Sequence, residues 1–393
     1  MPKFDIAVDR NEENIRRILT LTLTRRCNLN CRYCFEDKYP KSQQIMNFDL
    51  AKKIISFYME KDEMYREILI DFFGGEPLLA FPLIQQIVEW VNSKTWNKKY
   101  LFSIGTNGTI LTDDIKDWMR KNRKHLEVGV SFDGSKKAHD ISRDNSYDVV
   151  WKNLPFFREN WPNQTIKMTI CAETIPFVAE SVIEMEEMGL PFTANVIFED
   201  IWGKPNEKKK LLDTYANQLL KLVDYYAAHP NLYPVTLLDR KIEHTRLKND
   251  KPDETVDKKA IKRFCGSGHE MVMVDTDGNK YPCHRFAPWI TGRSAPQKKQ
   301  NHQTQWLPKE CDTCKLVSVC PTCVGFNFEL NGDSSIRSTF HCEALKLEVL
   351  ASAKLQAVRI DQNKHNSNKL FQKEPNIMKR RIDAILEITN DGI

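Results

Sequence analysis

Residues 17 to 227 alternate six times between a β-branched or apolar run of strand length and a segment with helical spacing. The strand signals are RILTLTL (17–23), EILIDFF (67–73), YLFSIGT (100–106), LEVGVSF (126–132), TIKMTIC (165–171) and FTANVIF (192–198). Helical spacing falls at 47–59, 81–91, 111–121, near 146–154, 177–189 and 207–227. Asn47 and Thr112 are expected N-caps, and Gly189 an expected stop. A strand, a crossover helix and a parallel strand form a unit of fixed right hand, so the repetition predicts a parallel sheet with helices outside. Six strands are too few for a closed eight-stranded barrel. The expected fold is α/β, a partial (β/α)6 barrel of parallel strands with a C-terminal cysteine-rich, cluster-binding domain.

Pattern shifts set the expected domains. The barrel takes 1–230, and a polar, poorly patterned linker takes 231–262. The cysteine-rich domain takes 263–345, and C-terminal helices and tail take 346–393. Within these, 269–283 reads as a β-hairpin turning at Asp277-Gly278. Residues 342–355 read as a short amphipathic helix and 361–376 as a polar, loose stretch. A last helix at 377–388 is expected to dock on the body or bind a partner. No repeat of solenoid period is present.

The cysteines decide what kind of chemistry to look for. No apolar run reaches the length of a membrane span, and the polar start MPKFDIAVDRNEEN is not a signal peptide. The expected compartment is the cytoplasm, where structural disulfides are rare. Of eleven cysteines, three lie in RRCNLNCRYCF (25–35) and seven between Cys265 and Cys342. Such clustering points to metal or iron–sulfur ligation. Cys171 stands apart at a strand end and reads as a small buried hydrophobe. A net charge of +5 from 58 basic and 53 acidic residues gives no case for nucleic acid or membrane as partner.

In parallel α/β folds, ligands bind beyond the C-terminal ends of the strands. The unusual residues fall at those ends in succession. Strand one runs into Cys27, Cys31 and Cys34, and strand two into Gly74, Gly75, Glu76 and Pro77. Strand three runs into Thr106, Asn107 and Thr109, and strand four into Ser131, Asp133 and Gly134, with Arg143 beyond. Strand six carries Asn195. Each motif alone is an ordinary turn; stacked on one edge with a three-cysteine loop, they outweigh that reading. Three cysteines can hold three irons of a cubane cluster and leave the fourth open to a small ligand. Gly74 and Gly75 would let backbone approach that ligand closely. Glu76 would accept from an ammonium group, Arg143 and Ser131 would hold a carboxylate, and Thr106 or Asn107 would meet ribose hydroxyls. The ligand so described is an amino acid joined to a nucleoside.

With CNLNCRYCF, its aromatic Tyr33, and then GGEP, TNGT and SFDGSKKAHDISR in order, the chain resembles the radical SAM superfamily over residues 17 to 200. That resemblance implies S-adenosylmethionine on the open iron. Its reductive cleavage would give a 5′-deoxyadenosyl radical that abstracts hydrogen. The second cysteine cluster is similar to the SPASM extension, which carries two auxiliary [4Fe–4S] clusters, making three in all. By position, the resemblance assigns Cys311, Cys314, Cys320 and Cys342 to one, and Cys265, Cys283 and Cys323 to the other, with His269 or a substrate atom as its remaining ligand. CPTC departs from the usual C-x3-C and puts the place of Cys323 in question. The rival for this region is a zinc ribbon.

The chain most resembles maturases of ribosomally made peptides, which form crosslinks or other oxidative modifications. The alternative is an anaerobic sulfatase-maturing enzyme, in which an Asp follows the hairpin cysteine; here that position is His284, the candidate catalytic base. A second alternative is a radical enzyme acting on a small molecule. An electron carrier would have no use for a nucleoside pocket. Asp275, Asp277 and Glu199 are further acid–base candidates, the two aspartates being equally good turn formers. The implied partners are a peptide or protein substrate and an electron donor such as flavodoxin or ferredoxin. Only about seventeen residues precede strand one. A leader peptide is therefore expected on the barrel rim, on the C-terminal tail, or on a separate leader-peptide-binding protein.

Overall fold

The computed structural model describes residues 16–38, 42–240, 242, 265–294, 311, 314–317, 319–361 and 375–387. Most of the stretch read as linker and the polar stretch at 362–374 lie outside the described residues. Contacts divide the chain into two compact units. The first comprises Met1–Phe132, Arg143–Lys167 and Cys265–Lys299; the second comprises Asp133–Ser142, Met168–Phe264 and Gln300–Ile393.

The first unit is built on strands β1 (Arg16–Thr24), β2 (Glu67–Gly74), β3 (Lys99–Thr106) and β4 (Leu126–Val130). They are crossed over by helices α1 (Phe48–Lys61), α2 (Phe81–Asn92) and α3 (Asp113–Asn122). All three strand pairings are parallel. Strand β1 is buried on both faces. Leu19, Leu21 and Leu23 are fully buried on one face, and Thr20, Thr22 and Thr24 are buried on the other. Thr20 Oγ1 donates to Asp71 Oδ2 (3.0 Å), which gives one buried hydroxyl a partner. The expected caps hold: Asn47 Oδ1 accepts from Asp49 N (2.8 Å), and Thr112 Oγ1 from Ile115 N (3.4 Å). Helix α4 (Lys136–Ser142) had no apolar pattern to announce it, and α5 (Tyr147–Asn160) follows.

The sheet departs from six consecutive strands. Its order is β4-β3-β2-β1-β7-β8, with β7 (Met271–Val274) parallel to β1 and β8 (Lys280–Tyr281) antiparallel to β7. Strands β5 (Ile166–Ile170) and β6 (Phe192–Val196) form a separate pair, and a single parallel bridge joins Ser131 to Lys167. The hairpin read from the sequence is present, with Gly278 in the left-handed region at its turn (φ +91°). Its attachment to β1, some 250 residues earlier, leaves no local trace.

The second unit packs β5, β6, α6 (Val178–Glu187) and α7 (Pro205–Ala228) against α10 (Cys342–Asp361). Tyr215, Leu219, Leu222 and Tyr226 of α7 share its core with Ala351 and Leu355 of α10. Val235, Leu237 and Leu238, within the stretch read as linker, are buried there too. Between α7 and α10 in sequence stand the short turn α8 (Pro288–Thr291), in the first unit, and α9 (Val324–Asn331). Helix α11 (Pro375–Glu387) docks on α10, burying Ile382 and Ile385 with Leu345, Val349 and Ala353. Partly buried Cys314 and Cys320 pack on the same cluster. Among the described residues, no helix is long and apolar enough to cross a membrane.

Candidate active site

Strand β1 delivers the three-cysteine loop, and β2 delivers Gly74–Glu76 alongside it. Gly75 N donates to Thr24 O (3.1 Å) and Glu76 N to Arg26 O (2.8 Å). A Cβ on Gly74 would stand 2.3 Å from Thr24 O, and one on Gly75 2.4 Å from Arg26 O. The space where a side chain would go at 74 and 75 is therefore taken by the chain's own neighbouring backbone. The glycines set the distance between the GGE segment and the first cysteine.

Glu76 is fully buried and carries three hydrogen bonds. Its Oε1 accepts from Thr106 Oγ1 (2.9 Å) and Leu78 N (3.1 Å), and its Oε2 from Asn107 N (2.8 Å). Burial pushes the carboxyl up to about 7, against the pull of those donors and of the Arg143 charge. Asn107 extends the network to the cysteine loop. Its Nδ2 donates to Asn28 Oδ1 (3.0 Å) and stands 4.0 Å from Cys27 Sγ. Its Oδ1 accepts from Thr109 Oγ1 (2.6 Å), and Asn28 Nδ2 donates to the same hydroxyl (2.8 Å). Leu29 N stands 3.5 Å from Cys27 Sγ. N–H groups aimed at a sulfur suit a thiolate ligand.

Arg143 is buried, with its guanidinium 5.2 Å from the centre of the Tyr33 ring. The next residue, Asp144, has φ +57° and accepts from Asn30 N (3.1 Å), pinning the middle of the cysteine loop. Sequence reading missed Asp144. The signal available was an Asp-Asn pair, the residues that tolerate left-handed backbone best after glycine. Ser131 N donates to Thr106 O (3.0 Å), tying the ends of β3 and β4. The first unit thus brings Cys27, Cys31, Cys34, Tyr33, Gly74, Gly75, Glu76, Thr106, Asn107, Ser131 and Arg143 to its strand ends and their loops.

The segment after the hairpin packs on the exit of the cysteine loop, which the sequence did not reveal. The His284 ring stacks on Phe35 (5.3 Å, 18°) and Phe73 (4.8 Å, 13°). Trp289 Nε1 donates to Glu36 Oε2 (2.9 Å), Arg25 lies 4.7 Å from the Trp289 ring, and Arg285 lies 4.8 Å from Phe35. Burial, with Arg285 and Lys167 adding to it, lowers the His284 pKa to about 3. A ring with its pKa held this low is a weak proton acceptor. The Asp275 carboxylate accepts from Asp277 N, Asn279 N, Asn279 Nδ2 and Tyr281 Oη, and shapes the hairpin turn. Asp277 Oδ1 accepts from Gln44 Nε2 (2.7 Å). Cys265 is exposed and Cys283 buried, and Tyr65 Oη donates to the His269 carbonyl (2.7 Å).

The remaining candidates belong to the second unit. Both Asp133 oxygens are engaged, by Ser142 Oγ (2.7 Å) and Thr169 N (2.9 Å), so this carboxylate holds its own loop together. Asn195 is exposed on β6. The charge of Glu199 acts on His341. Cys171 is buried in the core and its thiol is pushed up to about 11. Cys323 caps α9, its Sγ accepting from Phe326 N (3.4 Å). Cys320 is pushed up to about 12 by burial, with Cys342, Cys314 and Cys311 adding repulsion and Arg337 opposing it. Cys320 and Cys342, both raised by burial, are thiols whose ionised forms call for positive charge close by. An iron–sulfur cube fits that need. Among the described residues, no three His, Cys, Asp or Glu side chains form a single-ion site. A cube, whose irons stand at separate corners, asks for no such point.

The radical SAM superfamily model matches residues 21–175. The chain spans less than half the length of two curated relatives it matches. One is the radical SAM cyclopropyl synthase TigE of Paramaledivibacter caminithermalis, 24% identical over 51% of this chain and 46% of that protein. This chain is 22% identical to a cysteine-type anaerobic sulfatase-maturating enzyme of Clostridium perfringens, over 81% of this chain and 91% of that one. It is 33% identical to a tungsten-containing aldehyde ferredoxin oxidoreductase cofactor-modifying protein of Pyrococcus furiosus, over 72% and 76%. Among solved structures, anSMEcpe with bound AdoMet and Kp18Cys peptide matches with a TM-score of 0.65 at 19% identity, over 88% of this chain and 99% of that one. SuiB of Streptococcus suis, bound to precursor peptide SuiA, matches at 0.53 and 16%, over 83% and 76%. The α/β fold with its parallel sheet is the one these structures share. The family model covers the strands that carry the cysteine loop, Glu76 and Asn107, and the Pyrococcus relative extends the likeness to three quarters of its length: the chain belongs to the radical SAM superfamily.

Proposed function

We propose that the chain modifies a ribosomally made peptide or a protein, installing a crosslink or other oxidative change. Cys27, Cys31 and Cys34 would hold an iron–sulfur cluster with an open iron for S-adenosylmethionine, whose reductive cleavage would supply a 5′-deoxyadenosyl radical for hydrogen abstraction. The observation that carries the reading is the buried Glu76–Asn107 link, which joins the GGE segment to Cys27 and Asn28. It fixes acceptor groups beside the cysteine loop at no reorganisation cost during reaction. Glu76, poised near neutrality, would be drawn to its charged form by an ammonium group, while Arg143 and Ser131 would receive a carboxylate. Tyr33 backs the Arg143 charge, and Thr106 and Asn107 would meet ribose hydroxyls. The Phe35–His284–Phe73 stack packs against this side of the loop.

The peptide or protein assignment draws support from the sulfatase-maturating relative and the two peptide-bound structures. Two auxiliary [4Fe–4S] clusters, an electron donor such as flavodoxin or ferredoxin, and a separate leader-peptide carrier belong to the same proposal. Sulfatase maturation is equally compatible with the coverage of the Clostridium enzyme. His284 at the position after Cys283 weighs against it, because a base with pKa about 3 holds a proton poorly. A small-molecule substrate is favoured by one observation, the 33% identity to the Pyrococcus cofactor-modifying protein.

The test is anaerobic reconstitution followed by iron, sulfide and zinc analysis and an assay of 5′-deoxyadenosine, on wild type and Cys31→Ala. Wild type is expected to hold about twelve irons, three cubes of four. Cys31→Ala is expected to lose about four irons and all cleavage. Unchanged cleavage in the variant refutes the reading. About four irons with one or two zincs in the wild type would remove the auxiliary-cluster case for a peptide maturase.

A further inference from the structure

Cys311, Cys314, Cys320 and Cys342 of the second unit act on one another electrostatically, and two arginines act on them. Arg240 acts on Cys320 but is committed elsewhere. Its Nε donates to Glu348 Oε2 (2.7 Å), and Glu348 also accepts from Tyr215 Oη (2.7 Å). That pair is close to neutral as a whole. Arg337 is only 4% exposed and, among the described residues, forms no ion pair with a carboxylate. Its Nη2 donates to the carbonyl oxygens of Cys320 and Pro321, which anchors the guanidinium at the third cysteine. Its charge acts on the thiols of both Cys320 and Cys342. Its Nη1 is buried and, among the described residues, has no hydrogen-bond acceptor.

A buried donor left without an acceptor costs on the order of 1–3 kcal/mol, more when charged, and native interiors seldom keep one without reason. The side chain is placed by two carbonyls, so it is not free to turn its remaining N–H groups to water. What the site lacks is an anionic acceptor next to Cys320 and Cys342. The sulfides and thiolate sulfurs of an iron–sulfur cube are acceptors of that kind.

We propose that Arg337 donates a charge-assisted hydrogen bond from Nη1 to the iron–sulfur cluster held by Cys311, Cys314, Cys320 and Cys342, and thereby raises that cluster's reduction potential. The proposal rests on the reading of these four cysteines as cluster ligands. Its sign follows from charge. Reduction adds an electron to the cube, and a fixed cation with an N–H aimed at sulfur stabilises the reduced form more than the oxidised one. Arg337 is thus a positioning and tuning residue, acting through the cluster and not on the substrate.

The experiment is a redox titration followed by electron paramagnetic resonance, on the anaerobically reconstituted holoenzyme and its Arg337→Gln and Arg337→Lys variants, with iron and zinc counted in each. Arg337→Gln is expected to weaken reduction of one cluster at least tenfold, a fall of about 59 mV for one electron, and to leave the other clusters in place. Arg337→Lys, which keeps the charge and loses the planar fork, is expected to fall less. Full iron with unchanged potentials overturns the proposal and leaves the cluster reading standing. Zinc in place of iron at these cysteines in the wild type overturns both. If Arg337→Gln fails to load the cluster, wild type labelled with 15N-arginine decides. A 15N coupling to a reduced auxiliary cluster supports the hydrogen bond, and its absence overturns it.

Discussion

Gly75→Ala tests whether the GGE segment sets the cysteine loop. The added Cβ would stand 2.4 Å from Arg26 O, 2.7 Å from Arg26 C and 2.9 Å from Arg25 O, where ordinary contact begins at 3.4 Å. All three atoms are backbone, so no side chain can swing aside to relieve the clash. Overpacking a tight site costs about 1–3 kcal/mol, and backbone neighbours place this one at the upper end, ~3 kcal/mol. At 1.4 kcal/mol per factor of ten, that is roughly a hundredfold loss in the share of molecules with Arg26, and hence Cys27, in position. The first cluster should be lost while the C-terminal thiols load normally, so iron falls by about four per chain and 5′-deoxyadenosine formation disappears. Gly105→Ala and Gly129→Ala are controls on the same sheet. A Cβ at either meets nothing within 4 Å, so both should keep the iron of the wild type. Gly75→Ala with full iron and full cleavage would refute the argument, since the loop would then tolerate displacement of its entry.

Two predictions concern protons. The Glu76 carboxyl is raised from 4.5 to about 7, chiefly by burial. Between those values the folded chain keeps a proton that the unfolded chain has released, so the contribution is intact below pH 4.5 and lost as pH rises through 7. The loss amounts to about 3 kcal/mol at 1.36 kcal/mol per pH unit. Infrared difference spectra of wild type against Glu76→Gln should show a protonated-carboxyl band that titrates near pH 7, and titration near 4.5 would contradict the burial argument. His284, held to about 3 by burial between two phenyl rings, should contribute no limb to the pH profile of turnover between pH 6 and 9. His284→Phe should keep S-adenosylmethionine cleavage, and a limb near 6.5 that vanishes in this variant would make the histidine a working base after all.

What could be read from the sequence was local in origin. The six strand runs, the caps at Asn47 and Thr112 and the turn at Gly278 each depend on neighbours a few residues away, and each is where the pattern put it. Cys27, Glu76 and Asn107 could be named as one site because the strand-end rule converts sequence order into spatial order without any pairing being known. What could not be read depends on partners distant in the chain. Met271–Val274 joins β1 across some 250 residues, and the Leu-Thr alternation of β1 fits one sheet neighbour or two equally well. His284 was a reasonable base by its position after a cysteine, but its protonation depends on Phe35, Phe73 and Lys167, which no motif brings together. The glycines of GGEP make the same point from the other side. Their need was legible, but the object that presses on them was not. A Cβ at either position would meet the carbonyl of Thr24 or Arg26. This makes the GGE segment a spacer that holds the first cysteine, and it explains why Glu76 and Cys27 can act as one site although they are carried by different strands.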